Sequence, residues 1–192
     1  MNAIDPVLLD VPTELPTDRL LLRMPRPRDG EKINAAIRDS AAELARWMPW
    51  ADPTPDVANS EQWCRRAAGR FLTREALDFS IYLKGSETCL GSCGMPRIDW
   101  RIPKVEIGYW LRTPYCGKGL MTEAVVAVTA FALQTLNVPR VEIRCDERNQ
   151  RSRRVAQRAG YQLEGILRND ERDHHGDLRS TCVFSQVPAA AT

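Results

Sequence analysis

The sequence predicts an α+β fold, a single domain on a mixed, mostly antiparallel twisted sheet of about seven strands with helices on both faces. Three observations predict it. Residues 79–83, 89–98 and 105–111 read as strands joined by turn residues such as Lys84, Gly85 and Ser86, the pattern of an antiparallel meander. Residues 120–136 are apolar nearly all round, with Ala124, Val125, Val128, Ala132 and Leu133, as in a helix packed across a sheet. Strand, glycine loop, helix and strand then follow one another in mid-chain as a crossover unit.

The elements follow in order. Residues 1–17 carry Pro6, Pro12 and Pro16 without periodicity and read as an extended arm, so the domain proper is expected to span 18–187 with a short tail at 188–192. The first strand is placed at 19–24. Asp29 is expected to cap a helix bearing Ile33, Ala36 and Ile37 on one side, and a short helix at 42–48 stops at Pro49. The segment Trp47-Met48-Pro49-Trp50 is aromatic for a loop, and Trp47 and Trp50 are candidates either for core plugs or for the walls of an acceptor pocket. A third helix is placed at 60–75. After the meander and the long helix come a strand at 141–145, a helix at 149–159 stopped by Gly160, a strand at 161–167, a charged loop and a last strand at 181–187.

Composition excludes several classes. The chain has 192 residues and a formal net charge of +2, with arginines matched by nearly as many acids, which gives no argument for a nucleic-acid partner. No run approaches the roughly 20 apolar residues of a membrane span, and the N-terminus lacks the pattern of a signal peptide, so a cytoplasmic location is expected. The six cysteines are scattered without a metal-binding spacing, and reduced thiols are the expectation. His174 and His175 are adjacent in a loop and lack further ligands at sensible spacing, so no metal is assigned.

The most informative stretch is Tyr115-Cys116-Gly117-Lys118-Gly119-Leu120-Met121-Thr122-Glu123. Two glycines one residue apart open the long helix just after a strand. They let the backbone turn tightly and aim consecutive N–H groups at one point, where the helix adds the positive end of its dipole. A diphosphate fits such a place. A P-loop would need Gly-Lys-Ser/Thr, and a dinucleotide fingerprint a third glycine where Thr122 stands, so both fail. Cys116 lies at the mouth of the loop, where helix-end amides could lower its pKa.

Three segments at matching spacing now carry a resemblance: Val105-Glu106-Ile107-Gly108-Tyr109-Trp110-Leu111, then Gly117-Lys118-Gly119 with Thr122-Glu123-Ala124, then Asn149-Gln150-Arg151-Ser152 leading to Ala159-Gly160-Tyr161. Together they resemble the GNAT superfamily of acyl-CoA N-acyltransferases, in particular the branch of the ribosomal-protein N-terminal acetyltransferases RimJ and RimL. The resemblance runs from about residue 15 to 187 and implies a splay between the fourth and fifth strands, opened by a bulge for which Gly108 would allow the kink.

That resemblance implies acetyl-CoA as co-substrate. Its pyrophosphate would lie on the amides of Gly117, Lys118, Gly119, Leu120, Met121 and Thr122, its pantetheine arm along Trp110, Leu111 and Arg112, and its sulfur near Asn149 and Ser152. One of the arginines around the helix at 149–159, with Arg158 the choice, would meet the 3′-phosphate. Two positions depart from the family pattern: Pro114 replaces a frequent Gln or Arg, and Ala156 stands where many relatives place a tyrosine that protonates the leaving thiolate. Ser152 is therefore the candidate for that contact. The reaction implied is direct attack of a primary amine on the thioester in a ternary complex, with Glu106 first and Glu171 second as the carboxylate that helps deprotonate the amine. The acceptor is a protein N-terminus or a small-molecule amine. A non-catalytic acyl-CoA-binding module is the rival, motivated by Ala156, and a nucleotide-binding protein is a more distant one. Exposed strand edges near the C-terminus leave room for a homodimer.

Overall fold

A computed structural model of the protein describes residues 5–173 and 175–188. Eight strands form one sheet: β1 (Glu14–Pro16), β2 (Leu20–Arg23), β3 (Leu77–Leu83), β4 (Cys89–Asp99), β5 (Lys104–Leu111), β6 (Arg140–Asp146), β7 (Gln162–Arg172) and β8 (Leu178–Gln186). Their order in the sheet is β1-β2-β3-β4-β5-β6-β8-β7. Every neighbouring pair is antiparallel except β5 with β6. The eighth strand is β1, which forms within the proline-bearing arm because Leu15 pairs with Leu22 and edge position tolerates Pro16.

Five helices flank the sheet: α1 (Gly30–Arg38), α2 (Ala41–Ala45), α3 (Val57–Thr73), α4 (Leu120–Ala130) and α5 (Gln150–Arg158). Asp29 precedes α1 but does not cap it with its side chain. Its carboxylate instead takes both arms of Arg23 at 2.7 and 2.8 Å and the Arg26 N–H at 2.8 Å, tying β2 to α1. Burial raises the Asp29 pKa, and these donors outweigh it, so the carboxyl sits below its ordinary range. Helix α3 starts three residues before the expected point, because Asp56 and Asn59 form a reciprocal capping box there. It ends at Arg74, whose left-handed backbone, φ +62°, turns its guanidinium back to the Leu9 carbonyl at 2.7 Å and so secures the N-terminal arm.

Helix α4 carries the core. Leu120, Met121, Ala124, Val125 and Val128 are buried, and the helix packs on β2, β4 and β5. Beyond Ala130 the expected helix loosens into a π turn over Phe131–Thr135, where the Leu136 N–H reaches back five residues to Phe131 at 3.1 Å. Phe79 is the hub, with Phe71 and Phe131 edge-on to it at 5.3 and 6.1 Å; each such pair adds about 0.5–1.5 kcal/mol beyond its burial. A second cluster forms on the opposite face, where Ile33 and Ile37 of α1 and Cys64 of α3 cover Tyr82 and Cys89.

Candidate active site

The glycine loop leaves β5 through a short 3₁₀ turn, Thr113–Tyr115, and enters α4. Gly117 and Gly119 both stand at φ +77°, a conformation in which a side chain is strained. A Cβ at Gly117 would meet open space, so it is the backbone angle that demands glycine there. The first helical bond runs from the Glu123 N–H to Gly119 at 3.1 Å. The amides of Gly117, Lys118, Gly119, Leu120, Met121 and Thr122 therefore have no acceptor among the described residues and crowd the positive end of α4.

Glu123 fixes this loop. It accepts the Thr17 hydroxyl and the Arg19 N–H at 2.6 and 2.9 Å on one oxygen and the Arg19 guanidinium at 2.6 Å on the other. Arg19 also donates to the Lys118 carbonyl at 3.1 Å, so the turn before β2 braces the loop from outside. Burial alone would raise the Glu123 pKa; the Thr17 and Arg19 donors win and lower it. Cys116 behaves contrary to expectation. Burial raises its pKa, and its thiol faces the Leu111 and Arg112 carbonyls rather than the loop amides.

The strands beside the loop fork. β5 and β6 pair only from Lys104 to Glu106 against Arg140 to Glu142, after which β5 runs on to Leu111 without a partner on that side. β4 remains paired through this region, but Met95 and Pro96 together oppose Ile107, so the bulge lies in β4 rather than β5. Gly108 has ordinary backbone angles; what it supplies is space, since a Cβ there would come within 3.2 Å of the Pro96 ring. The Arg112 N–H donates to the Leu90 carbonyl at 2.6 Å, and period-two alternation then turns the Tyr109 and Leu111 amides toward the fork. The Arg112 guanidinium is held by Asp39 at 2.9 Å.

Across the fork stands α5. The Asn149 side chain caps it by accepting the Ser152 N–H at 3.0 Å, which fixes Ser152 in the first turn. Its hydroxyl lies 2.9 Å from the Tyr109 phenol of β5, and that phenol also reaches the Ser152 carbonyl at 3.1 Å. Burial pushes the Tyr109 pKa up, against the opposing hydrogen bond from Ser152, so the phenol keeps its proton through neutral pH. Ala156 is fully buried one turn on.

A cavity of about 650 Å³ opens on the other side of the fork. Trp47, Trp50, Trp63 and Trp110 line it, with Trp50 edge-on to Trp110 at 6.0 Å. Its acidic groups are Glu106, Asp78 and Asp146, and Ser152 and Asn149 border it as well. Glu106 is paired with Arg97 at 3.1 Å, and Asp146 gives both oxygens to Arg148 at 3.0 and 2.7 Å.

The structure thus brings Trp47, Trp50, Glu106, Trp110, Asn149 and Ser152 to one cavity, with the glycine loop at the other end of the free β5 edge. Glu171 is placed apart. It lies on β7, because the expected charged loop is a continuation of that strand, and it ion-pairs with Arg179, which does line the cavity. Of the arginines near α5, Arg148 is bound to Asp146, Arg151 to Glu43 at 3.1 Å and Arg153 to the Glu147 carbonyl at 3.2 Å. Arg158 is exposed and has no partner among the described residues. The His175 N–H donates to Asp173, while His174 lies outside the described residues. No group of three or more metal-binding side chains occurs among the described residues, and no helix there is long and apolar enough to cross a membrane.

Asp78, Trp63 and Tyr109, the partner of the expected Ser152, were not singled out from the sequence. Asp78 falls just before the expected start of β3, and Trp63 was one apolar position among many on a helix. Tyr109 and Ser152 are 43 residues apart, and the Glu123 partners are more than 100 residues away, so neither contact leaves a local trace.

Known proteins are similar to this chain in sequence and in fold. The acetyltransferase (GNAT) domain family matches residues 19–162. The uncharacterized N-acetyltransferase p20 of Bacillus licheniformis is 30% identical over 169 residues, 88% of this chain and 93% of that one. The ribosomal-protein-serine acetyltransferase of Escherichia coli (strain K12) is 29% identical over 129 residues, 65% of this chain and 71% of that one. Among solved structures, RimL, a ribosomal L7/L12 alpha-N-protein acetyltransferase in complex with coenzyme A, superposes with a TM-score of 0.84 at 20% identity, covering 91% of this chain and 97% of that one. With three quarters of its length inside the family match and the fork and amide loop in place, the chain belongs to the GNAT family of acetyltransferases.

Proposed function

We propose that this protein transfers the acetyl group of acetyl-CoA to a primary amine in a ternary complex, the acceptor being the α-amino group of a protein N-terminus. The observation that carries the reading is the row of unpaired amides from Gly117 to Thr122, set at the end of a strand edge left free by the fork. A diphosphate fits the amides, and a pantetheine amide fits the Tyr109 and Leu111 edge, which delivers the thioester to Gly108. There one of the free β5 amides can hold the thioester oxygen as it gains charge.

The leaving sulfur then faces Ser152. Its hydroxyl hydrogen-bonds the developing thiolate and relays the proton, while Tyr109 holds that hydroxyl in place from behind. A phenol therefore reaches this region from β5, and Ala156 at the usual tyrosine position does not remove the chemistry. The rival reading as a non-catalytic binding module loses its motive. Glu106 adds negative potential on the acceptor side, Glu171 acts through Arg179 at most, and exposed Arg158 is the candidate for the 3′-phosphate.

The protein acceptor follows the activity for which the Escherichia coli relative and RimL are named. One observation favours a second reading: a cavity walled by four tryptophans suits a small amine with a flat or apolar body. The proposal also includes a cytoplasmic enzyme, and a homodimer through the edge strand β7, which exposes Leu163, Ile166 and Leu167. Thiol release from acetyl-CoA, measured over peptides with free N-termini and over small aromatic amines, tests the activity and ranks the acceptors. Absence of acceleration with every amine overturns it.

A further inference from the structure

Asp78 occupies a position that the fold keeps open. It pairs in register with Gly94 of β4, and Gly94 pairs with Gly108 of β5, so the three residues form one row on one face of the sheet. Both glycines leave that row bare. A Cβ at Gly94 would come within 2.6 Å of the Asp78 Cα, so the row cannot be filled without moving backbone. From Asp78 to Gly108 is two strand spacings, roughly 10 Å, with nothing but glycine between.

Asp78 is 7% exposed, yet it lines the cavity. Its Oδ2 accepts from Arg70 of α3 at 3.0 Å, while its Oδ1 accepts nothing among the described residues. The other acids of the cavity differ. Asp146 has both oxygens on Arg148, and Glu106 sits two residues before Gly108, where β5 is still paired with β6, and is held by Arg97. A largely buried carboxylate that lines the cavity and keeps one oxygen unpaired beside this bare row has room to take a cation.

We propose that Asp78 is a catalytic residue that binds the ammonium group of the acceptor and removes its first proton. The assignment rests on the acetyltransferase reading above. The ammonium, about 3 Å from the Oδ1, would stand over Gly94 with its nitrogen directed at a thioester above Gly108. One N–H proton passes to the carboxylate, giving a neutral amine and a carboxylic acid. The freed lone pair then forms the N–C bond, the C–S bond breaks with its electron pair on sulfur, and the second nitrogen proton reaches the thiolate through Ser152. Asp78 returns its proton to water when the amide leaves.

Electrostatics suits this role. Burial raises the Asp78 pKa above the ordinary carboxylate range, and Arg70 opposes the rise. The neighbouring Cys93 thiol is itself pushed up by burial and stays neutral, and the Arg97–Glu106 pair across the cavity carries no net charge. A base with a raised pKa is better matched to an amine near neutral pH than an ordinary carboxylate.

The test uses the full chain and its best amine acceptor, with kcat/KM followed over pH for the native protein, Asp78→Asn and Arg70→Gln. Asp78→Asn should lower kcat by roughly 100-fold with the CoA Kd within about twofold, and should abolish the acid limb of the profile. Arg70→Gln keeps the base but removes the charge that restrains its pKa, so the acid limb should move to higher pH. Asp78→Asn within about threefold of the native rate, with its acid limb intact, overturns the assignment while leaving the acetyltransferase reading standing. Should Asp78→Asn fail to fold, an unmoved limb in Arg70→Gln overturns it instead. A native protein inactive with every amine defeats both readings together.

Discussion

The phenol of Tyr109 lies 2.9 Å from the hydroxyl of Ser152, joining β5 to α5 across the mouth of the fork. In the proposed reaction the serine hydroxyl meets the leaving sulfur and the phenol holds that hydroxyl from behind. Ser152→Ala should lower kcat by ~10²-fold, and Tyr109→Phe by ~10-fold, since the phenol acts through the serine. The double variant should be no slower than Ser152→Ala alone, because groups acting as a unit do not add. Steady-state rates with the CoA Kd as a control would show it; a Tyr109→Phe effect that multiplies fully with the serine effect would mean that the two act separately.

Glu123 never touches a substrate in this scheme, yet CoA binding should depend on it. Removing its carboxylate in Glu123→Ala frees Thr17, the Arg19 amide and the Arg19 guanidinium together. The loop amides would then have to be ordered by the ligand itself. We expect a CoA Kd about 10-fold higher and a stability loss of about 1–2 kcal/mol, with kcat at saturation little changed. Calorimetric titration with CoA and urea unfolding measure the two effects, and an unchanged Kd would sink the bracing role.

The glycine loop and the helix behind it were legible in the sequence because their cause is local: positive φ at Gly117 and Gly119 and the end of an apolar helix are all written within fifteen residues. The succession of strands along the chain was legible for the same reason, while the place of β8 between β6 and β7 was not, nor was strand β1, because Leu15 and Pro16 are extended through pairing with β2. The start of α1 was legible, since Asp29 does stand just before Gly30, although its carboxylate serves Arg23 rather than the helix end; the start of α3 was missed because the Asp56–Asn59 capping box sets it three residues early. The fork itself came from family resemblance, since the point at which β5 parts from β6 is set by how α4 and α5 pack. Asp78 escaped because β3 is buried on both faces and shows no alternation that would mark where the strand begins.

The row from Asp78 to Gly108 makes a ranked prediction about its two glycines. At Gly94 a methyl group would meet the Asp78 Cα and the Leu77 carbonyl oxygen, both at 2.6 Å and both backbone. At Gly108 it would meet only the Pro96 ring at 3.2 Å, which can yield by a few tenths of an ångström. Gly94→Ala should therefore cost about 3 kcal/mol and Gly108→Ala about 1 kcal/mol in urea unfolding. Gly108→Ala should also lower kcat, because the added methyl enters the row the acceptor nitrogen must cross. Equal destabilisation by both would contradict the geometry.

Acid should loosen the far edge of the sheet in a defined window. Arg140 of β6 grips Glu164 of β7 with both arms at 2.7 and 2.6 Å, and the Ser185 hydroxyl of β8 adds a third bond at 2.6 Å. Arg140 first, and Ser185 second, hold the Glu164 carboxyl down to about 2, below its ordinary 4.5. A carboxyl lowered by folding stabilises the native state fully above its unfolded pKa, and that contribution is lost as pH falls toward the folded value. The stability difference between the native protein and Glu164→Gln should thus be constant above about pH 5 and shrink steadily as the pH falls through the range below 4.5. Because the pair is half exposed, added salt should narrow the difference as well. Thermal unfolding midpoints of the two proteins over this pH range decide it: curves that stay parallel down to acid would show that Glu164 carries no such linkage.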